Sequence, residues 1–149
     1  MIRLELPCLP PSTNHAYVNN GFGGRKLSAG ARAFLTETKA HLAHTYPREM
    51  MIFRPNVPYL LVMRFHFEAI ENANWGRSGK GKTRYKKVDA TNRIKLLEDA
   101  LADAGGIDDS QFVSTTPQKV QGIPERTILW VWSLEEESSP TYETIQRLT

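Results

Sequence analysis

Nine consecutive residues after Pro58, Tyr59-Leu60-Leu61-Val62-Met63-Arg64-Phe65-His66-Phe67, restrict the fold of this chain more than any other stretch. A proline bounds the run, and it is dense in aromatic and apolar residues, so it reads as a strand. Leu61, Met63, Phe65 and Phe67 then share its core face, because successive strand side chains alternate sides. Such a strand needs neighbours and a covering layer. Ile2, Leu4 and Leu6 alternate with Arg3 and Glu5 as a half-buried strand that Pro7, Pro10 and Pro11 end. Ser28 reads as an N-cap, with Ala31, Phe34, Leu35, Thr38 and Leu42 following at helical spacing to about His44. Ile94, Leu97, Leu101 and Ala104 form a second helical stripe, closed by Gly105-Gly106.

Residues 12–24 and 70–88 read as loops, 111–121 as a strand interrupted near Pro117, and Thr127 through Trp132 as the last strand. The order strand, helix, strand, helix, strand, strand predicts an α/β fold. We expect a single small domain with a mixed sheet of about four strands packed with two main helices. The domain is expected over 1–134, with 135–149 as an acidic polar tail, mobile or docked on a partner.

At 149 residues the chain buries a core without disulfides. Its one cysteine, Cys8, excludes an intrachain disulfide and fits a reducing, cytoplasmic setting. Cys8 lies in Leu6-Pro7-Cys8-Leu9-Pro10 with no base in sight, so a nucleophile is not expected. No apolar run approaches the ~20 residues of a membrane span, and charges interrupt the start, so neither membrane nor signal peptide is expected. His41 and His44 lie three residues apart on the first long helix, but no further zinc ligand accompanies them; they read as solvent-facing, and His66 as part of a strand face.

The net charge of +3 is unevenly spread. Arg77, Lys80, Lys82, Arg84, Lys86 and Lys87 follow one another without an acid, whereas Glu135-Glu136-Glu137 opens the tail. Gly76-Arg77-Ser78-Gly79-Lys80-Gly81-Lys82-Thr83 satisfies the phosphate-loop pattern, which works only between a buried strand and a helix N-terminus. Neither flank complies: Glu71 through Trp75 precede it, and no helical stripe follows Thr83. The segment reads instead as a basic loop for a phosphate backbone, with Trp75 or Tyr85 as stacking platforms. A merely solvated loop is the competing reading.

From Lys86 to Asp109, basic residues run into spaced carboxylates: Asp89, Asp99 and Asp108-Asp109. Cations collect phosphates, and clustered aspartates hold the divalent ions that activate water against a phosphodiester. Asp89 falls at the mouth of the second helix, with Thr91, Lys95 and Asp99 at four-residue steps along one face. That helix is ~20 Å long, so Asp109 reaches Asp89 only if the chain doubles back. Each acid also has a structural use: Asp89 as a helix cap, Asp99 as the i,i+4 partner of Lys95, Asp108-Asp109 as a turn. Spacing alone leaves both uses open.

Asp89-x-x-Asn92-x-x-Lys95-x-x-x-Asp99-x-Leu101, then Gly105 and Asp108-Asp109-x-Gln111, resembles the RusA family of Holliday junction resolvases. Leu9-Pro10-Pro11-Ser12-x-Asn14 and Lys26-Leu27-Ser28 are similar to that family's opening, so the likeness extends from about Leu6 to Lys119. It implies a homodimeric, Mg2+-dependent crossover junction endodeoxyribonuclease, with Mn2+ as substitute. Such enzymes cut four-way DNA junctions by paired symmetric nicks in recombination and repair. By position, Asp89 and Asp109 match metal-binding aspartates and Lys95 an essential lysine, which makes Asp89, Lys95 and Asp109 the implied catalytic set.

The family's second aspartate is Thr91 here, whose hydroxyl can ligate magnesium without adding charge; Asp108 or Asp99 would supply the missing charge. The spacing from the helix to Asp108-Asp109 is about one residue shorter than the family's. Arg77, Lys80, Lys82, Arg84, Lys86, Lys87 and Lys119 would hold the DNA backbone without reading sequence. Trp130, Trp132 and Met50-Met51 are the apolar candidates for a dimer surface. A catalytically weakened or inactive branched-DNA-binding protein is the alternative that Thr91 raises. A nucleotide-hydrolysing switch is a third reading, and no nucleotide cofactor is expected.

Overall fold

The computed structural model describes residues 1–19, 21, 23–73, 75, 83–86 and 88–134. Along the chain run β1 (Ile2–Leu6), α1 (Thr13–Ala16), β2 (Tyr17–Asn19), β3 (Arg25–Leu27), α2 (Ala29–Thr45) and α3 (Pro47–Met50). They are followed by β4 (Tyr59–Phe67), α4 (Ile94–Gly105), β5 (Phe112–Gln121) and β6 (Arg126–Ser133). β1, β6, β4 and β5 form one sheet in that order. β6 is antiparallel to both neighbours, whereas β4 and β5 are parallel. The result is the expected α/β domain with a four-stranded mixed sheet and two long helices.

β4 is apolar from Tyr59 to Met63, where it is buried on both sides, whereas Arg64 and His66 further along are only half-buried. Tyr59, Leu61, Met63, Phe65 and Phe67 join Leu4, Leu6, Phe34, Leu42, Leu97 and Leu101 in the main core. On the other side Leu60 and Val62 meet Leu134, with half-buried Trp130 and Trp132 beside them. Fully burying one leucine such as Leu97 contributes about 1.5–3 kcal/mol. Trp130 is crossed by the Arg64 guanidinium 4.7 Å from its ring centroid.

α2 starts where Ser28 Oγ accepts the Ala31 N–H at 3.1 Å and stops just before Pro47. It buries Ala31, Phe34, Thr38 and Leu42. α4 is introduced by a 3-10 turn, Thr91–Arg93, and ends at Gly106, whose φ of +66° is left-handed. Gly105 packs against the Phe53 ring so closely that a Cβ there would lie 2.8 Å from Phe53 Cγ. No helix among the described residues is long and apolar enough to cross a membrane.

Four expectations change. Residues 12–24 hold the one-turn helix α1, capped by Ser12, and a β2–β3 hairpin rather than loop alone. Elements of three or four residues carry too little periodicity to be read. β5 is continuous through Pro117, which pairs with Met63; an edge strand tolerates a residue without an N–H. Met50 is buried, so only Met51, 83% exposed, remains of the Met50-Met51 surface candidate. His41 is not simply solvent-facing: its Nε2 lies 3.0 Å from the Glu5 carbonyl oxygen, tying α2 to β1. The tail at 135–149 lies outside the described residues.

Candidate active site

Asp89 lies two residues before Thr91, the first residue of the turn that opens α4. Its Oδ1 accepts the Thr91 N–H at 3.0 Å and the Thr91 hydroxyl at 2.5 Å, and its Oδ2 accepts the Asn92 amide at 2.9 Å. Aspartate commonly bonds the backbone two residues ahead in this way. The carboxylate is exposed, yet its pKa is held below the ordinary value. The Thr91 hydroxyl is the main cause, followed among stabilising effects by the Thr91 and Asn92 donors and the charge of Lys119. Thr91 therefore meets Asp89 as a hydrogen-bond donor.

Lys95 stands in the first turn of α4, and its Nζ donates to two acids. Asp99, one turn further on, lies at 2.9 Å, and Asp109 is bonded by its Oδ2. These bonds, that to Asp109 first, raise the Lys95 pKa and keep it an ammonium. Asp109 arrives because the left-handed Gly106 reverses the chain into a second 3-10 turn, Asp109–Gln111. Asp108 caps that turn: its Oδ1 accepts the Ser110 N–H at 2.9 Å, while Gln111 Oε1 accepts the Asp108 N–H at 3.4 Å. The Ser110 hydroxyl first, and then its N–H, lowers the Asp108 pKa. Gln111 also donates to the Arg54 and Val57 carbonyls at 2.9 and 2.8 Å, fixing the turn to the segment before β4.

The structure thus brings Lys95, Asp99 and Asp109 into one ion-paired group, and Asp89, Thr91 and Asn92 into another just ahead of it. Among the described residues, no three His, Cys, Asp or Glu side chains gather closely enough to hold a metal. The donors are nevertheless hard oxygens, and magnesium takes only one or two protein carboxylates, its remaining positions going to water and phosphate. The donor chemistry fits that ion.

Around the acids the cations differ in availability. Lys119, from β5, donates to the Val88 carbonyl at 3.2 Å, beside Asp89. Arg84 is paired with Glu71 at 2.8 Å, while Lys86 is exposed. Asn72 donates to the Thr83 and Tyr85 carbonyls at 2.8 and 3.2 Å, and a bridge joins Glu71 to Tyr85, so the base of the basic loop is closed. Such flanks do not make a phosphate loop, for among the described residues between Thr83 and the Thr91 turn no helix begins. Trp75 and Tyr85 are about half exposed, with the Arg84 guanidinium 5.3 Å from the Tyr85 ring centroid. Arg77, Lys80, Lys82 and Lys87 lie outside the described residues.

A family model described as endodeoxyribonuclease RusA matches residues 7–130. The chain belongs to the RusA family. No curated protein matches it. The RusA match includes α1, α4, β5 and both acid groups, and membership places the chain among endodeoxyribonucleases, with DNA as the substrate. The RusA segment also contains a residue that sequence reasoning passed over. Arg93, in the Thr91–Arg93 turn, donates from Nη1 to the Pro10 carbonyl and carries its guanidinium 5.3 Å from the Phe67 ring centroid. In a basic stretch it looks like one more solvated cation, and no periodicity distinguishes it.

Proposed function

We propose that the protein is a Mg2+-dependent endonuclease that resolves four-way DNA junctions by paired symmetric nicks, acting as a homodimer in recombination and repair. The observation that carries this reading is the Lys95 ammonium, bonded to Asp109 and Asp99 six residues beyond the bonded Asp89. An ammonium has three donors. Two are taken by carboxylates, which leaves a third for a non-bridging phosphate oxygen and for the charge that grows there as a nucleophile attacks.

Asp89 and Asp109 would hold the metal, with Asp108 and Thr91 as further oxygen donors. Bound there, Mg2+ supplies Lewis-acid charge to the phosphate and a lowered pKa to an attacking water. The Thr91 and Asn92 donors orient Asp89. Lys86 and Lys119, with Arg77, Lys80, Lys82, Arg84 and Lys87, would draw in the backbone without reading bases. Two copies related by a two-fold axis would match the symmetry of a junction.

A synthetic four-way junction, set beside linear duplex of the same sequence, tests the proposal. With Mg2+ the junction should be nicked in pairs and the duplex spared. Asp89→Asn should abolish cutting while junction binding stays largely intact; cutting at the unmodified rate would refute the assignment. The second reading, a branched-DNA-binding protein with weakened or no catalysis, draws on Thr91, which points to Asp89 as a donor. Tight junction binding without nicking would favour it.

A further inference from the structure

Arg93 is half-buried, and nothing in the chemistry above uses it. Its guanidinium reaches from the Asp89 turn to the Pro10 carbonyl, spanning 83 residues of sequence, and its Nε is buried without a hydrogen-bond partner. Burial lowers its pKa. An apolar side chain would fill the space over Phe67 without that desolvation cost, so the cation's gain lies in the bond it makes.

The bond fixes one end of a short segment. Two residues earlier, the buried Thr127 hydroxyl donates to the Cys8 carbonyl at 2.8 Å. Two residues later, Ser12 caps α1, which packs against the Thr91–Arg93 turn. On α1, Ala16 faces the core while Asn14 and His15 face solvent. An amide and an imidazole are ordinary phosphate-backbone donors.

The structure assigns to Arg93 the part of a positioning residue: it locks Pro10 so that α1 presents Asn14 and His15 beside the Asp89 turn as a second wall of the DNA groove. This rests on the nuclease reading of that turn. It adds that the substrate is gripped from two chain segments, and that Arg93 is the tie between them.

Arg93→Met, which keeps the packing on Phe67 and deletes the donor, tests the tie in the full chain. Hydrogen exchange should speed up at the His15 amide, bonded to the Ser12 carbonyl at 2.9 Å, and stay unchanged at Ala31 in α2. The KM for junction should rise about tenfold, as for loss of one charge-assisted hydrogen bond, with kcat within about twofold. Asn14→Ala should raise KM as well, and adding it to Arg93→Met should cost little more, since coupled residues are non-additive. Arg93→Lys, with a cation and a donor retained, should recover most of the loss, and it serves if the methionine variant does not fold. Unchanged exchange at residues 12–16, or independent multiplication of the two KM effects, overturns the inference. If the unmodified protein cuts no junction, the nuclease reading falls, while exchange and DNA affinity still report on Arg93.

Discussion

Asp89 takes its donors from the two residues nearest it in the following turn, and the Thr91 hydroxyl does most to lower its pKa. A depressed carboxylate contributes stability above its unfolded pKa and loses it as pH falls through the folded value. Activity that needs ionised Asp89 should share that direction. Thr91→Val removes the hydroxyl and keeps the shape, so the Asp89 pKa should rise and the acidic limb of the rate profile should move to higher pH. Carboxyl NMR titration of the variant checks this independently of turnover, and an unmoved Asp89 resonance would contradict the assignment. At this scale the sequence already showed Lys95 and Asp99 four residues apart, where a helix makes them neighbours. It could not show that Asp109 also reaches Lys95, because that depends on a reversal at Gly106. Nor could it show Thr91 turning to Asp89, since a threonine in a basic run advertises no partner.

At the scale of elements, α4 owes its placement to the two glycines at its end. Gly105→Ala would drive a methyl to 2.8 Å from Phe53 Cγ, an overpacking that costs about 1–3 kcal/mol against a helix-propensity gain of about 1. Gly106→Ala meets open space instead, but its φ of +66° should cost about 1–2 kcal/mol. Urea unfolding should show both variants destabilised, with cleavage by Gly106→Ala further weakened because the same turn aims Asp109. The long elements were legible because a helix of several turns repeats a stripe, and a long strand sustains an apolar run. α1 and the β2–β3 hairpin are too short to do so. Pro117 misled because a proline argues against an inner strand, and nothing local says that β5 lies at an edge.

At the scale of the molecule, the parallel pair β4–β5 and the crossing helix α4 put Lys119 beside Asp89, bonded to a carbonyl 31 residues away in sequence. Lys86 and Lys119 are exposed, whereas Arg84 already has Glu71. Replacing Lys86 and Lys119 by glutamine should therefore reduce the slope of log affinity against log salt, by about 0.9 for each duplex phosphate no longer neutralised. Arg84→Gln should change it less. A titration from low to moderate salt checks the order, and equal effects at all three positions would reject it.

Pro117 has a further consequence for crowding. A long edge strand is a template on which another chain can continue the sheet. A residue that cannot donate, set midway along β5, interrupts any ladder begun there. A second copy that meets this edge would thus find the row of donors broken and could not continue the sheet along it.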